Sequence, residues 1–136
     1  MAIAIVATVG SATANSYVTL AQANTYIEGL TESADVVAWG TSTDDEKNRA
    51  LFSSTRRIDR EDFLGNKVAK TQARMWPRSG VRIPHQYSNL YGVTFPNRIV
   101  ADYYTDTEIP EEVKNAQIEL AVYLNNNKDG IGLSGL

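Results

Sequence analysis

The sequence has no cysteine, a single histidine and no hydrophobic run long enough to span a bilayer. Without cysteine the chain can form no disulfide, thiolate nucleophile or cysteine metal site, which excludes a disulfide-stapled secreted scaffold. The apolar segment 1–10 has no basic residue before it, so we expect an extended arm rather than a signal peptide. A chain of 136 residues that is 43% hydrophobic can bury roughly two-thirds of its unfolded surface, as one globular domain.

Positive charge is scarce overall but concentrated in one segment. The formal net charge is −3, which argues against a duplex-DNA binder driven by electrostatics. From residue 56 to 82, eight basic residues outnumber three acidic ones, so this segment carries +5 and the remainder −8. The basic residues are Arg56, Arg57, Arg60, Lys67, Lys70, Arg74, Arg78 and Arg82.

This basic segment has three interpretations. It could follow the phosphates of a nucleic acid, form the solvated side of two helices, or contact the acidic surface of a neighbouring copy. We favour the contact between copies, because opposite charges segregated within one chain suit head-to-tail assembly.

Capping signals and helical periodicity predict helices over most of residues 16–76. Thr19 with Gln22 forms a capping-box pattern for a first helix, and Ser33–Trp39 is expected to form one short helical turn. A clearer capping box at Thr43 starts a helix that should run to about residue 62. A further helix is predicted over Lys67–Met75, ended by the proline that follows Trp76.

The second half alternates between irregular and helical sequence. Prolines and glycines punctuate residues 77–109, which predicts a long loop with a possible β-hairpin and a strand near Arg98–Tyr104. Pro110 and two following glutamates begin a last helix over 110–124. Residues 125–136 are expected to be a flexible tail. The predicted fold is mainly α: a single small bundle of about four helices with a loop or hairpin insertion and extended terminal arms, the N-terminal arm covering 1–15.

Residue patterns typical of catalytic sites are either absent or lack the structural context that they need. His85 has no second His or Cys to complete a metal site, and a solvent-facing loop histidine is the simpler interpretation. A Ser–His–Asp triad is recognised by geometry and stays open, but no G-x-S-x-G elbow is present. Residues 130–135 match G-x-G-x-x-G, yet no helix can follow them in this sequence, as nucleotide binding requires. We therefore predict no enzymatic activity, no metal and no cofactor.

The two tryptophans are better structural anchors than binding residues. Trp76 could offer a face for base stacking, but a tryptophan in a helix-ending Trp-Pro turn is more often buried. We therefore assign Trp39, Trp76 and Pro77 to the core.

Several motifs occur in an order that resembles one family. The motifs are Asn15-Ser16-Tyr17-Val18-Thr19, then Trp39, Thr55-Arg56-Arg57-Ile58-Asp59, Phe63-Leu64-Gly65, Gln72 ahead of Trp76-Pro77-Arg78-Ser79-Gly80, and Ile109-Pro110-Glu111-Glu112-Val113. Together they resemble the head–tail connector (adaptor) family of long-tailed phages, over most of residues 15–124. Members of that family also carry the label "putative DnaT-like single-stranded DNA-binding protein".

The resemblance implies a structural virion protein. It implies a ring, usually twelve-fold, that sits beneath the portal protein, extends the DNA channel and receives a tail terminator, stopper or tail-tube protein. The location would be the neck of the virion, after assembly in the host cytoplasm. Contacts between copies and with the portal are expected from Arg56, Arg57, Arg60, Arg74 and Arg78 and from the aromatic residues Tyr87, Tyr91, Phe95 and Tyr103. The alternative label predicts a single-stranded DNA-binding module instead.

Overall fold

A computed structural model describes residues 2–89 and 99–128 of the chain. Within these residues lie four α-helices and four short strands. The helices are α1 (Leu20–Ile27), α2 (Ala34–Thr41), α3 (Asp44–Ile58) and α4 (Glu111–Asn126), and the strands are β1 (Asn66–Lys67), β2 (Arg78–Ser79), β3 (Arg82–Asn89) and β4 (Ile99–Tyr103). The predicted mainly α fold with a hairpin insertion is confirmed.

Three helices begin where local signals predicted. Thr19 and Thr43 both form complete capping boxes, in which the threonine hydroxyl accepts from the third helical amide and that residue's side chain accepts from the cap amide. Ser33 caps α2, which continues to Thr41. The last helix begins at Glu111, one residue after Pro110, and extends two residues further than predicted.

The helix predicted over Lys67–Met75 is wrong. This segment begins with the last residue of β1 and continues in turns, and the side chain of Gln72 takes the place of helical hydrogen bonds. Its Oε1 accepts from the Ala69 amide at 3.0 Å, and its Nε2 donates to the carbonyls of Arg74 and Pro77, both at 2.9 Å. These local side-chain hydrogen bonds compete with helix formation and override the helical periodicity.

Two antiparallel pairs form the β structure. β1 pairs with β2, placing Lys67 opposite Arg78, and β3 pairs with β4, placing Arg82 opposite Tyr103. The predicted strand near Arg98–Tyr104 corresponds to β4, and the predicted hairpin corresponds to β3 and β4.

Two apolar clusters lie side by side. The helical core joins all four helices; its buried members are Val18, Ala23, Ile27, Trp39, Ala50, Leu51, Ile118, Ala121 and Val122. The Trp76 core lies beneath the hairpins and consists of Tyr17, Trp76, Val81 and Ile109, with partly buried Ile58, Phe63, Met75, Tyr104 and Val113 against it. Both tryptophans are therefore buried in the protein.

α3 and α4 pack antiparallel, so the C-terminal end of α4 lies near the N-terminal end of α3. Lys128, just beyond α4, pairs with Glu46 in the first turn of α3 at 2.5 Å. Between the helices, buried Gln117 accepts from the Tyr17 amide at 3.1 Å and donates to the Ser16 hydroxyl at 2.7 Å. The segment that links the N-terminal arm to α1 is thereby fixed between α3 and α4.

Candidate nucleic-acid interface

Five basic side chains follow one another from the C-terminal end of α3 into the next loop. Arg56 and Arg57 lie in the last turn of α3 and Arg60 in the following turn, while Lys67 and Lys70 are exposed on the loop. None of the five forms an ion pair with a carboxylate in the part of the chain that the structure describes. Their charge is therefore available to a partner.

Arg74, by contrast, is already paired. Its Nη1 lies 3.2 Å from Asp59 Oδ2, and its Nε donates to the Ala14 carbonyl at 3.0 Å. Asp59 also accepts a hydrogen bond from the Tyr17 hydroxyl. Burial, then this bond to the carboxylate, raises the pKa of Tyr17 well above its usual value. Arg74 thus connects the arm to the end of α3.

Arg78 is also not a surface residue, contrary to its expected role in an interface. Its side chain is buried at 6% exposure, and the guanidinium donates to four backbone carbonyls. The acceptors are Phe63 at 3.1 Å, Leu64 at 2.8 Å, Gly65 at 2.8 Å and Met75 at 3.2 Å. A planar fork with five donors suits this set of acceptors, so Arg78 holds the backbone of the loop in place.

The loop that Arg78 holds, residues 63–70, is here named the basic loop. It presents Leu64 at 75% exposure and Val68 at 44%, with Lys67 between them. Gly65 allows the loop to approach β2, since an added Cβ would meet the Ser79 carbonyl oxygen at 2.1 Å. The exposed apolar and basic groups are consequently carried on an ordered backbone.

Trp76 offers no face for base stacking. It is 5% exposed, and the rings of Phe63 and Tyr104 contact it edge-on with centroids at 5.4 Å and 6.5 Å. Tyr103 is the better stacking candidate, because it is 54% exposed and lies opposite Arg82 across the hairpin. Sequence periodicity gave Tyr103 no priority over the other loop aromatics, since only strand pairing places it beside a cation.

The remaining predicted aromatic contacts involve Tyr87, Tyr91 and Phe95. Tyr91 and Phe95 lie outside the described residues, and only the backbone of Tyr87 is described, within β3. The glycine-rich segment 130–135 lies outside the described residues as well.

Two acidic residues interrupt the basic segment. Glu61 and Asp62 are exposed in the turn between Arg60 and the basic loop. They lower the local positive charge without pairing with the five cations, so the surface is moderately basic. Such a surface favours contacts that are sensitive to salt.

In residues 2–89 and 99–128, no three His, Cys, Asp or Glu side chains are grouped so that they could hold a metal ion. No helix among the described residues has the length and apolarity needed to cross a membrane.

A comparison with protein families shows to which family the chain belongs. The model of a family described as "Putative DnaT-like ssDNA binding protein" matches residues 1–132. The chain belongs to this family. Its description agrees with the second of the two labels that the sequence motifs suggested. The comparisons with curated proteins and with solved structures gave no match.

Proposed function

We propose that the protein binds single-stranded DNA through the cations at the end of α3 and the adjoining hairpins. The observation that carries this proposal is the run of five cations, Arg56 to Lys70, that no carboxylate neutralises in the described structure. Membership of the family described as DnaT-like supports it.

The expected mode of binding combines phosphate contacts with limited stacking. Arg57 and Arg60 would contact phosphates, and Tyr103 would stack on a base with Arg82 beside it. Each base stacked on an aromatic side chain contributes about 1–3 kcal/mol, largely without sequence preference. Because the whole chain has a net charge of −3, we expect weak binding with a strong dependence on salt.

Fluorescence anisotropy with a labelled oligo-dT at several salt concentrations tests the phosphate contacts. Arg57→Ala combined with Arg60→Ala should weaken binding and make the salt slope shallower by about 1.4, since each single-strand phosphate contact contributes about 0.7. The matched control is Arg49→Ala with Lys128→Ala, which removes two cations that are already paired with Asp45 and Glu46. Equal losses in the two double variants, or no binding by the natural sequence at low salt, would contradict the proposal.

The stacking contact has its own pair of variants. Tyr103→Ala should weaken binding at every salt concentration without changing the salt slope, because stacking releases no counterions. Tyr123→Ala removes a similarly exposed tyrosine from α4 and should leave binding unchanged.

A second function, that of a head-to-tail connector subunit, is favoured by a different observation. Leu64 and Val68 expose apolar surface on an ordered loop, which a phosphate backbone does not need but a protein partner does. Under this proposal the chain acts without catalysis, as a ring subunit that contacts the portal and a tail component in the virion neck. The motif resemblance described above supports it.

Native mass spectrometry with purified portal protein tests the connector function. A ring of many copies, or a complex with the portal, is the expected result. A chain that stays monomeric in the presence of the portal would contradict it, and DNA binding by such a monomer would favour the first proposal.

A further inference from the structure

Two neighbouring apolar residues of the basic loop have opposite surroundings. Phe63 packs inward, where its ring contacts that of Trp76 edge-on at 5.4 Å between centroids. Leu64 follows directly and is the most exposed of the large apolar side chains that the structure describes. Val68, four residues further along the same loop, is exposed as well. Apolar exposure concentrated on one short loop indicates a surface that contacts a partner.

Hydrogen bonds hold the backbone on both sides of Leu64. Arg78 donates to the carbonyls of Leu64 and of the residue on each side of it. β1 then pairs with β2 at residues 66 and 67, and the Val68 amide donates to the Pro77 carbonyl at 3.4 Å. The exposure of Leu64 is thus built into an ordered backbone, and a partner would meet this side chain with little further loss of backbone entropy.

The charges around Leu64 indicate the chemistry of that partner. Lys67 and Lys70 follow it on the loop, and neither forms an ion pair within the part of the chain that the structure describes. Glu61 and Asp62 precede it, but residues 63–89 contain no Asp or Glu. A partner on the lysine side of the loop is therefore anionic, and it must also offer apolar faces to Leu64 and Val68.

A single strand of DNA has both properties. Its phosphates are anionic, and its bases expose their flat faces wherever they are not stacked. Apolar side chains, leucine among them, insert between base steps and unstack them.

We infer that Leu64 packs against a base of the bound strand, with Val68 beside it and Lys67 and Lys70 on the flanking phosphates. Leu64 would thereby add to the proposed DNA binding, on which this inference rests, a contact that distinguishes a single strand from a duplex. In a duplex the bases are stacked on one another, so their faces are covered and only the phosphates remain for the lysines.

An abasic strand separates contacts to bases from contacts to phosphates, because it carries the charge of oligo-dT without the bases. Fluorescence anisotropy measures binding of the full-length chain to labelled oligo-dT and to a labelled abasic strand of equal length. The natural sequence should bind oligo-dT more tightly. Leu64→Ala should weaken binding of oligo-dT several-fold, with no change for the abasic strand and no change in the salt slope, because packing on a base releases no counterions.

Three further variants serve as controls in the same titrations. Leu64→Met keeps an apolar side chain of similar volume and should keep the preference for oligo-dT. Val37→Ala removes an exposed apolar side chain from α2 and should alter binding of neither strand. Lys67→Ala combined with Lys70→Ala should weaken binding of both strands alike and make both salt slopes shallower.

Two outcomes would overturn the inference while the natural sequence still binds oligo-dT, so that the proposed function stands. The first is equal weakening of both strands by Leu64→Ala, which would show that Leu64 acts only through the phosphate contacts. The second is unchanged binding of oligo-dT by Leu64→Ala, which would leave Leu64 to a protein partner. If the natural sequence binds neither strand at low salt, the proposed function fails and the inference fails with it.

Discussion

The helical core and the Trp76 core are stabilised in different ways. In the helical core, apolar side chains at helical spacing pack between four helices, and Leu51 is completely buried at its centre. In the Trp76 core the backbone is irregular, and two buried polar residues, Gln72 and Arg78, bind carbonyls that no helix or sheet satisfies. A mainly α protein can therefore carry an ordered non-helical surface when long polar side chains replace secondary-structure hydrogen bonds.

The largest loss of stability is expected in the helical core. Leu51→Ala should lower the free energy of unfolding by about 2–5 kcal/mol, because it removes buried methyl groups and leaves a cavity between α3 and α4. Chemical denaturation followed by circular dichroism measures the change. The control is Ser53→Ala, on the same helix but only half-buried, which should change the free energy of unfolding little. A small effect of Leu51→Ala would show that the core collapses around the cavity.

A smaller and more local loss is expected from the Trp76 core. Arg78→Ala leaves four carbonyls without their donor, at a cost of about 2–3 kcal/mol. Hydrogen exchange should increase first in residues 63–79, while amides in α3 and α4 stay protected. Arg78→Lys tests the guanidinium geometry, because it keeps the charge but loses the fork. Uniform loss of protection across both regions would show that the two cores unfold as one unit.

Substitutions at two glycines in the same region distinguish the effect of a steric clash from that of backbone strain. Gly65 and Gly80 have φ of +73° and +76°. A Cβ added at Gly65 would lie 2.1 Å from the Ser79 carbonyl oxygen, whereas a Cβ added at Gly80 would lie 3.9 Å from the nearest heavy atom. Gly65→Ala should therefore destabilise by more than Gly80→Ala, which should cost about 1 kcal/mol from the positive φ alone. Thermal denaturation of the two variants measures the difference, and equal melting temperatures would contradict the close approach of the basic loop to β2.

The smallest effect concerns the hydroxyl of Tyr17, which belongs to the Trp76 core. Tyr17→Phe should cost about 1 kcal/mol near neutral pH, because it removes a hydrogen bond to Asp59. Since folding raises the pKa of Tyr17, its stabilising contribution is complete below the unfolded value near 10.0 and is lost as the pH rises above it. The natural sequence should thus lose stability above pH 10 more steeply than Tyr17→Phe. Tyr123→Phe, which removes the hydroxyl of an exposed tyrosine on α4, is the control for denaturation curves across this range.

The motifs that carry the family resemblance mostly maintain the fold. Asn15 binds the arm, accepting from the Val6 amide at 2.8 Å and donating to the Ala4 carbonyl at 2.9 Å. Gln72, Trp76 and Arg78 build the Trp76 core. These residues therefore indicate a shared structure, whereas the proposed DNA contacts rest on exposed cations such as Arg57 and Arg60. This difference explains why the sequence motifs indicated the family described as DnaT-like more clearly than they indicated a binding surface.

The sequence by itself determined the local features: the helix starts at Thr19 and Thr43, the mainly α class, and the concentration of positive charge between residues 56 and 82. These depend on neighbours within a few residues, so they are visible without a fold. Which cations face outward depends on the tertiary structure, because Arg74 and Arg78 bind groups up to 60 residues away in the chain. The helix predicted over Lys67–Met75 gives way to an ordered loop, because the Gln72 side chain bonds backbone groups two to five residues away and β1 pairs with β2.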